Sequence, residues 1–432
     1  MAEDDALPPA AVREILLRLP VDQRARAACV CCGWRDAAAE HKLWTVLDLT
    51  QASGVTLRLA PELLLAAAAR AQGRLEVLNV PGVRLLLPAV RDVATANATS
   101  LREVRTLDFD EYDWLDYQDQ REPGVDDLQA LLLAAPALQV LEASVVCGST
   151  TARRLLRNEP PFGPLRLWQL VVDCRFDDVD IAPLVADISK HPSLRSLELT
   201  CGQHFPLTPA KLDSVVTAAL THHLTMLNLH DCTLRPEVVP ALCRLLSSTA
   251  LTCLCIVQLE RWVQLLDAHA AVLLADALRA NRTLTELTLD GVLADSRDMA
   301  VVVLALVAHA SLRKLECISY FVELPEAEDE YDGALTGAAL GALVAADAPA
   351  LEELSVASML LGDAGLGPLC AALPRNTHLR KHWFDGHFRS PAFAARQLLP
   401  AVQANTSLRV LRGIGVIVEA RRFVEERERL RS

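Results

Sequence analysis

The pattern that most constrains this chain is L-x-x-L-x-L, because it recurs. One copy, Leu284, Leu287 and Leu289, follows a helical segment in which Leu274 and Leu278 lie four residues apart on one face. Asn281 stands between the two, where the helix must end, and Asn tolerates the left-handed backbone often used at a helix C-terminus. One such unit cannot bury its own apolar face, whereas stacked copies bury a continuous one. The first leucine of the pattern returns at Leu75, Leu138, Leu167, Leu194, Leu224, Leu251, Leu284, Leu312, Leu351, Leu379 and Leu408. A further copy uses Leu101, Val104, Leu107 and Phe109. The spacing holds near about 28 residues, which leaves room for a strand and a full helix per unit.

This unit resembles the ribonuclease-inhibitor type of leucine-rich repeat over roughly residues 50–432. The Asn three residues before the strand returns at Asn376 and Asn405. Leu361-Gly-Asp-Ala-Gly-Leu366, followed by Leu369 and Leu373, resembles that type's strand-to-helix turn. The resemblance implies an α/β fold, a horseshoe solenoid of about a dozen repeats.

Residues 1–49 do not follow the repeat. Leu7-Pro8-Pro9 opens a helix, since proline is tolerated in a first turn. Val12, Ile15, Leu16 and Leu19 form an apolar stripe, and Pro20 stops it. Asp22 is placed to cap a second helix running to about Cys31. Gly33 breaks that helix, and a third is expected from Trp34 to Leu43, closed by Trp44. Leu47-Asp48-Leu49 then reads as the first strand of the array. In order and spacing, Leu7-Pro8, Ile15-Leu16, Leu19-Pro20, Val30-Cys31, Trp34 and Leu43-Trp44 resemble an F-box. The departure is Gln23-Arg24-Ala25-Arg26, where that family often has leucines.

The resemblance implies a substrate-recognition subunit of an SCF-type E3 ubiquitin ligase. Leu7, Pro8, Ile15, Leu16, Leu19, Pro20, Val30, Trp34, Leu43 and Trp44 would bind a Skp-type adaptor and, through it, a cullin. The repeats would hold a protein substrate, and the chemistry would occur on other subunits, so the chain itself is expected to be non-catalytic. So few residues rarely hold a core alone, which fits helices that need a partner surface. Helices that only cap the open end of the array are the alternative. Two other functions stay open: an interaction scaffold without ubiquitin ligation, and an activator of a Ran-type GTPase, since the same repeat type occurs there.

Two insertions interrupt the period, near 108–127 and 322–333. The first interleaves acids with Tyr112, Trp114 and Tyr117. The second carries Glu326, Glu328, Asp329, Glu330 and Asp332. Aromatic residues of this kind dominate binding hot spots, and acids beside them suit a basic partner. Solvated loops are the plainer reading. The residue between the last two pattern leucines points outward along the array, as at Glu198, Asn228, Cys255, Thr288, Glu316, Trp383 and Arg412. These positions begin acidic or polar and end aromatic and basic. His382 replaces a pattern leucine beside Arg380, Lys381 and Arg409, which marks either a second recognition patch or drift of a terminal repeat. The tail 420–430 reads as a capping helix with Phe423 and Leu430 on its apolar stripe.

Composition narrows the partners. A formal net charge of −13 argues against nucleic acid, which requires a basic stripe, and leaves room for a basic protein. The 12 scattered cysteines suit a reducing compartment. With an acidic N-terminus lacking a secretory pattern and no long apolar run, cytoplasmic or nuclear residence without a membrane span is expected. No nucleotide-binding loop or metalloprotease motif occurs, and Cys29 and Cys32 lack the further ligands of a zinc site, so neither cofactor nor metal is expected.

Overall fold

The computed structural model describes residues 8–19, 23–24, 27, 32–48, 60–81, 87–107, 125–146, 169–174, 194–201, 208–230, 234–258, 266–293, 296–307, 309–318, 333–357, 361–385, 390–413 and 418–431. The chain forms two compact units, Met1–Asp173 with Lys190–Leu194, and Cys174–Ser189 with Arg195–Ser432.

In the first unit, α1 (Pro9–Arg18) and α2 (Cys32–Ala38) precede a 3-10 turn, His41–Trp44. Pro9 occupies the first turn of α1, as its fixed φ allows. Gly33 does not break a helix: it lies inside α2, which stops at Ala38 rather than continuing to Leu43. Five strands follow: β1 (Val46–Asp48), β2 (Val77–Pro81), β3 (Glu103–Leu107), β4 (Val140–Val146) and β5 (Gln169–Cys174). The helices α3 (Ala60–Ala71), α4 (Leu87–Ala96) and α5 (Val125–Ala134) alternate with them. All the paired strands are parallel, each beside its predecessor. The N–H groups of Glu76 and Val77 both donate to the carbonyl of Thr45. The repeat ladder therefore begins one residue after Trp44, with no linker between the helices and the array.

The second unit continues the same construction through β6 (Ser196–Cys201), β7 (Met226–His230), β8 (Cys253–Val257), β9 (Glu286–Asp290), β10 (Lys314–Ile318), β11 (Glu353–Ala357), β12 (Lys381–Asp385) and β13 (Val410–Arg412). The intervening helices are α6 (Pro209–His222), α7 (Val239–Leu246), α8 (Ala268–Ala280), α9 (Ser296–Ala305), α10 (Ala334–Ala345), α11 (Gly362–Ala372) and α12 (Leu399–Ala404). The last element, α13 (Val418–Arg431), follows β13. The eight strands pair in parallel and in chain order. Pattern leucines such as Leu224, Leu227, Leu229, Leu254, Leu287, Leu289, Leu315 and Leu354 are buried. Each contributes about 1.5–3 kcal/mol by leaving water, so their common phase fixes the register of the whole stack. Helices α10 and α11 approach so closely that a Cβ at Gly337 would sit 1.9 Å from the Gly365 carbonyl oxygen.

The asparagines work by a different route from the one the sequence suggests. Asn281 is extended, with φ −66 and ψ 145. Left-handed backbone falls instead on Gln72, His223 and Asp347 among non-glycine residues. The buried Asn281 side chain donates to the Leu246 carbonyl of the preceding repeat at 2.5 Å and accepts from the N–H groups of Thr283 and Leu284. Asn376 repeats this, donating to Val344 and accepting from His378 and Leu379. Asn405 does so with Leu373, Ser407 and Leu408. One side chain thus satisfies the carbonyl left open at one helix end and turns the chain into the next strand.

Candidate protein-docking surfaces

The N-terminal helices divide their apolar residues between interior and exterior. Val12 and Leu16, one turn apart on α1, are buried, as are Leu43 and Trp44. The Trp44 indole donates to the Ala38 carbonyl at 2.7 Å, and the Arg70 guanidinium of α3 lies 5.0 Å from its ring centroid. Ile15 and Leu17 are 38% and 45% exposed. Pro8 is exposed, while Leu19 and Trp34 are half-buried. Of the residues expected to meet an adaptor, Pro8, Ile15, Leu19 and Trp34 therefore reach the surface. Leu16, Leu43 and Trp44 lie in the chain's own interior and hold that surface in place. Leu7, Pro20 and Val30 lie outside the described residues. Leu17 was missed by the sequence reading. Its signal was an apolar residue standing off the helical stripe.

Arg24, in the segment that departs from the family pattern, is a clamp. Its guanidinium donates to the carbonyls of Leu19 at 2.8 Å, Leu43 at 2.6 Å and Leu17 at 3.1 Å. These include carbonyls that the end of α1 leaves without helical partners, and a cation there also favours the helix dipole. Burial lowers the Arg24 pKa, against the opposing pull of the Asp48 carboxylate. A surface pair, Arg13 with Glu40 at 2.6 Å, joins α1 to the segment after α2.

On the second unit, the register aligns Glu198, Asn228, Cys255, Thr288, Glu316, Ser355, Trp383 and Arg412 as one row across β6–β13. Its early members are tied to one another. Glu198 accepts from the Asn228 amide at 3.1 Å and has the His230 imidazole 3.8 Å away. Glu316 meets Lys314 at 3.3 Å and the Thr288 hydroxyl at 3.4 Å. Burial alone would lower the Lys314 pKa, but Glu316, Glu286 and Glu353 together raise it. The thiols of Cys253 and Cys255 are pushed up, mainly by burial, to about 11 and about 12. They are protonated thiols, not nucleophiles. The row ends differently, with Trp383 and Arg412 exposed. His382, at the leucine position, is buried and its Nδ1 lies 2.7 Å from the Leu354 carbonyl, so the pattern break replaces an apolar contact with a strand-to-strand hydrogen bond. Tyr112, Trp114 and Tyr117, and the second acidic run, lie outside the described residues. Among the described residues no helix is long and apolar enough to cross a membrane.

Comparison with known proteins agrees with this division. Residues 5–46 match the F-box domain. The chain therefore joins an F-box domain to leucine-rich repeats. F-box domains generally bind Skp1-type adaptors, and proteins of this architecture are generally non-catalytic adaptors. Solved structures similar to the chain include the leucine-rich repeat-containing protein LegL7 from Legionella pneumophila. It has 13% identity and a TM-score of 0.38, covering 66% of this chain and 96% of that one. Another is TLR13 in a complex with ssRNA13, with 14% identity and a TM-score of 0.32, covering 78% of this chain and 41% of that one. No curated protein matches the sequence.

Proposed function

We propose that the chain is the substrate-recognition subunit of an SCF-type ubiquitin ligase, resident in the cytosol or nucleus. The observation that carries this reading is the exposure of Ile15 and Leu17 on an F-box helix whose other large apolar residues, Val12 and Leu16, are buried. The N-terminal helices dock a Skp-type adaptor and hence a cullin. The strand face holds a protein substrate. Catalysis of transfer belongs to the other subunits, and this chain acts by proximity, raising the effective concentration of a substrate lysine beside the charged conjugating enzyme.

The test is co-expression of the full chain with a Skp-type adaptor, followed by capture. A stable complex that is lost in an Ile15→Asp, Leu17→Asp variant of unchanged fold supports the reading. If the folded wild type ignores the adaptor, the ligase reading fails, and the helices serve only to close the array.

A further inference from the structure

Residues 375–412 contain seven Lys or Arg and one Asp or Glu, inside a chain of formal net charge −13. Cations at β10 and at the start of β12 are answered. Arg313 pairs with Glu352 at 3.1 Å, Lys314 with Glu316 at 3.3 Å and Lys381 with Glu353 at 2.5 Å. The pairing then stops. Arg380 and Arg409 occupy one position of successive repeats, because the Arg409 N–H donates to the Arg380 carbonyl at 2.7 Å. The Arg380 N–H donates likewise to the carbonyl of Glu352 at 2.8 Å. Arg412 lies in register with Trp383. All three arginines are exposed, and among the described residues none has a side-chain partner. Among the described residues no carboxylate of α13 pairs with them, and Glu425, Glu426 and Glu428 pair with arginines of that helix itself. Trp383 is 39% exposed beside them.

We propose that this end of the strand face binds an extended anionic peptide segment, with acidic groups on Arg380, Arg409 and Arg412 and an apolar side chain on Trp383. Guanidinium groups take carboxylates and phosphates through paired N–H donors, and both ions supply the same chemistry. Arg380 and Arg409 stand one residue before β12 and β13, at matched positions of neighbouring strands about 4.8 Å apart, so they repel until an anion bridges them. An extended segment presents alternate side chains to one face at about 6.6 Å intervals, which suits charges alternating with an apolar anchor. The exposed indole supplies the desolvated aromatic contact that most often anchors such complexes. The inference names the substrate class of the proposed receptor, and rests on that reading only for the fate of the bound segment.

The experiment is fluorescence anisotropy on the full chain with three labelled peptides, in which leucine alternates with glutamate, phosphoserine or lysine. Anionic peptides bind, the lysine peptide does not, and added salt weakens binding as surface charge is screened. Reversal of all three arginines to Glu lowers affinity at least about tenfold, their replacement by Lys lowers it less because charge remains without the paired donors, and Arg235→Glu elsewhere on the unit retains it. Trp383→Ala weakens binding and removes the change in indole emission. The stronger of the two anionic peptides identifies carboxylate or phosphate as the source. Equal binding of the lysine peptide, failure of both anionic peptides, or unchanged affinity in the reversed variant overturns the proposal. Circular dichroism reports folding, and Arg380→Gln and Arg412→Gln singly replace the triple variant should it unfold. Adaptor capture on the same samples reads the proposed function independently.

Discussion

The two terminal helical segments close repeat arrays in opposite ways. At the last strand, α13 buries Ala420 and Val424 and places Arg427 against the carbonyls of Asn405 and Leu408. Its outer surface is a lattice of ion pairs, Arg421 with Glu425 at 3.0 Å and Arg431 with Glu428 at 2.8 Å. That is what a cap requires: an apolar inner face and a polar outer one. At the first strand, the closure is tighter still, with Trp44 buried and the ladder starting at Thr45. Yet α1 exposes Ile15 and Leu17 in mid-helix. Val418 and Leu430 are also exposed on α13, but at its two ends, so the contrast lies in placement, mid-helix on α1 and terminal on α13. The mid-helix placement of Ile15 and Leu17 is the feature that supports the docking role proposed for α1.

The largest effect expected from breaking this comparison is at Trp44. Trp44→Ala removes the indole from between Ala38 and Arg70 and costs about 3–5 kcal/mol. Hydrogen exchange should show α2 and α3 losing protection together, while β9–β11 keep theirs, because repeat arrays couple chiefly to neighbours. Uniform loss across the chain would show that the closure is not local.

Next is the asparagine ladder of the second unit. Asn376→Ala leaves the Val344 carbonyl and the N–H groups of His378 and Leu379 without their partner, at a cost of about 3 kcal/mol in denaturant unfolding. Arg427→Ala removes two charge-assisted bonds from the C-terminal cap and costs about 2 kcal/mol, with the first loss of exchange protection expected in α12 and α13.

A smaller effect depends on pH. His309 stands three residues before Leu312, the place that Asn281, Asn376 and Asn405 hold in their repeats. It is buried, and burial first, then Arg282, lowers its pKa below 6.5. Folding therefore favours the neutral ring. The resulting contribution to stability is complete above the unfolded value of about 6.5 and declines as pH falls below it. His309→Asn restores the hydrogen-bonding group used elsewhere and should flatten stability between pH 7 and pH 5. A persistent slope in that variant would assign the titration to another group.

These residues also show where sequence reading reaches its limit. Periodicity reports which residues each unit must bury, so the phased leucines, the strand register and the parallel order were legible from the spacing. The same reasoning fails where one side chain answers one backbone group. His382 replaces a leucine because it can reach the Leu354 carbonyl, and Arg24 clamps three carbonyls from a segment that reads as a departure. Neither leaves a periodic trace. The tail shows a subtler error. Phe423 and Leu430 have helical spacing, but Phe423 is half-buried and Leu430 exposed, while the true inner face is Ala420, Val424 and Arg427. A stripe containing alanine and arginine carries little apolar signal, yet the arginine stem packs and its head finds the carbonyls at the end of the array. The apolar stripe of α1 was legible, though not Leu17 beside it; the partition into support and surface needed the packing against α2 and the turn after it.

The smallest change in stability should come from the substitution with the largest functional effect. Ile15→Ser with Leu17→Ser removes exposed methyl and methylene groups, and surface changes of this kind usually stay within about 0.5 kcal/mol. If α1 were only a cap, adaptor capture would be indifferent to the exchange. If α1 docks a partner, the complex loses the apolar contact that desolvation makes strong, and capture falls while the unfolding midpoint stays in place. The matched change on the other segment, Val418→Ser with Leu430→Ser, removes comparable exposed apolar surface from α13 and should leave capture intact. Running the two pairs side by side separates loss of apolar surface in general from loss of this particular surface. Equal behaviour of the pairs would erase the distinction between the two closures on which the docking argument rests.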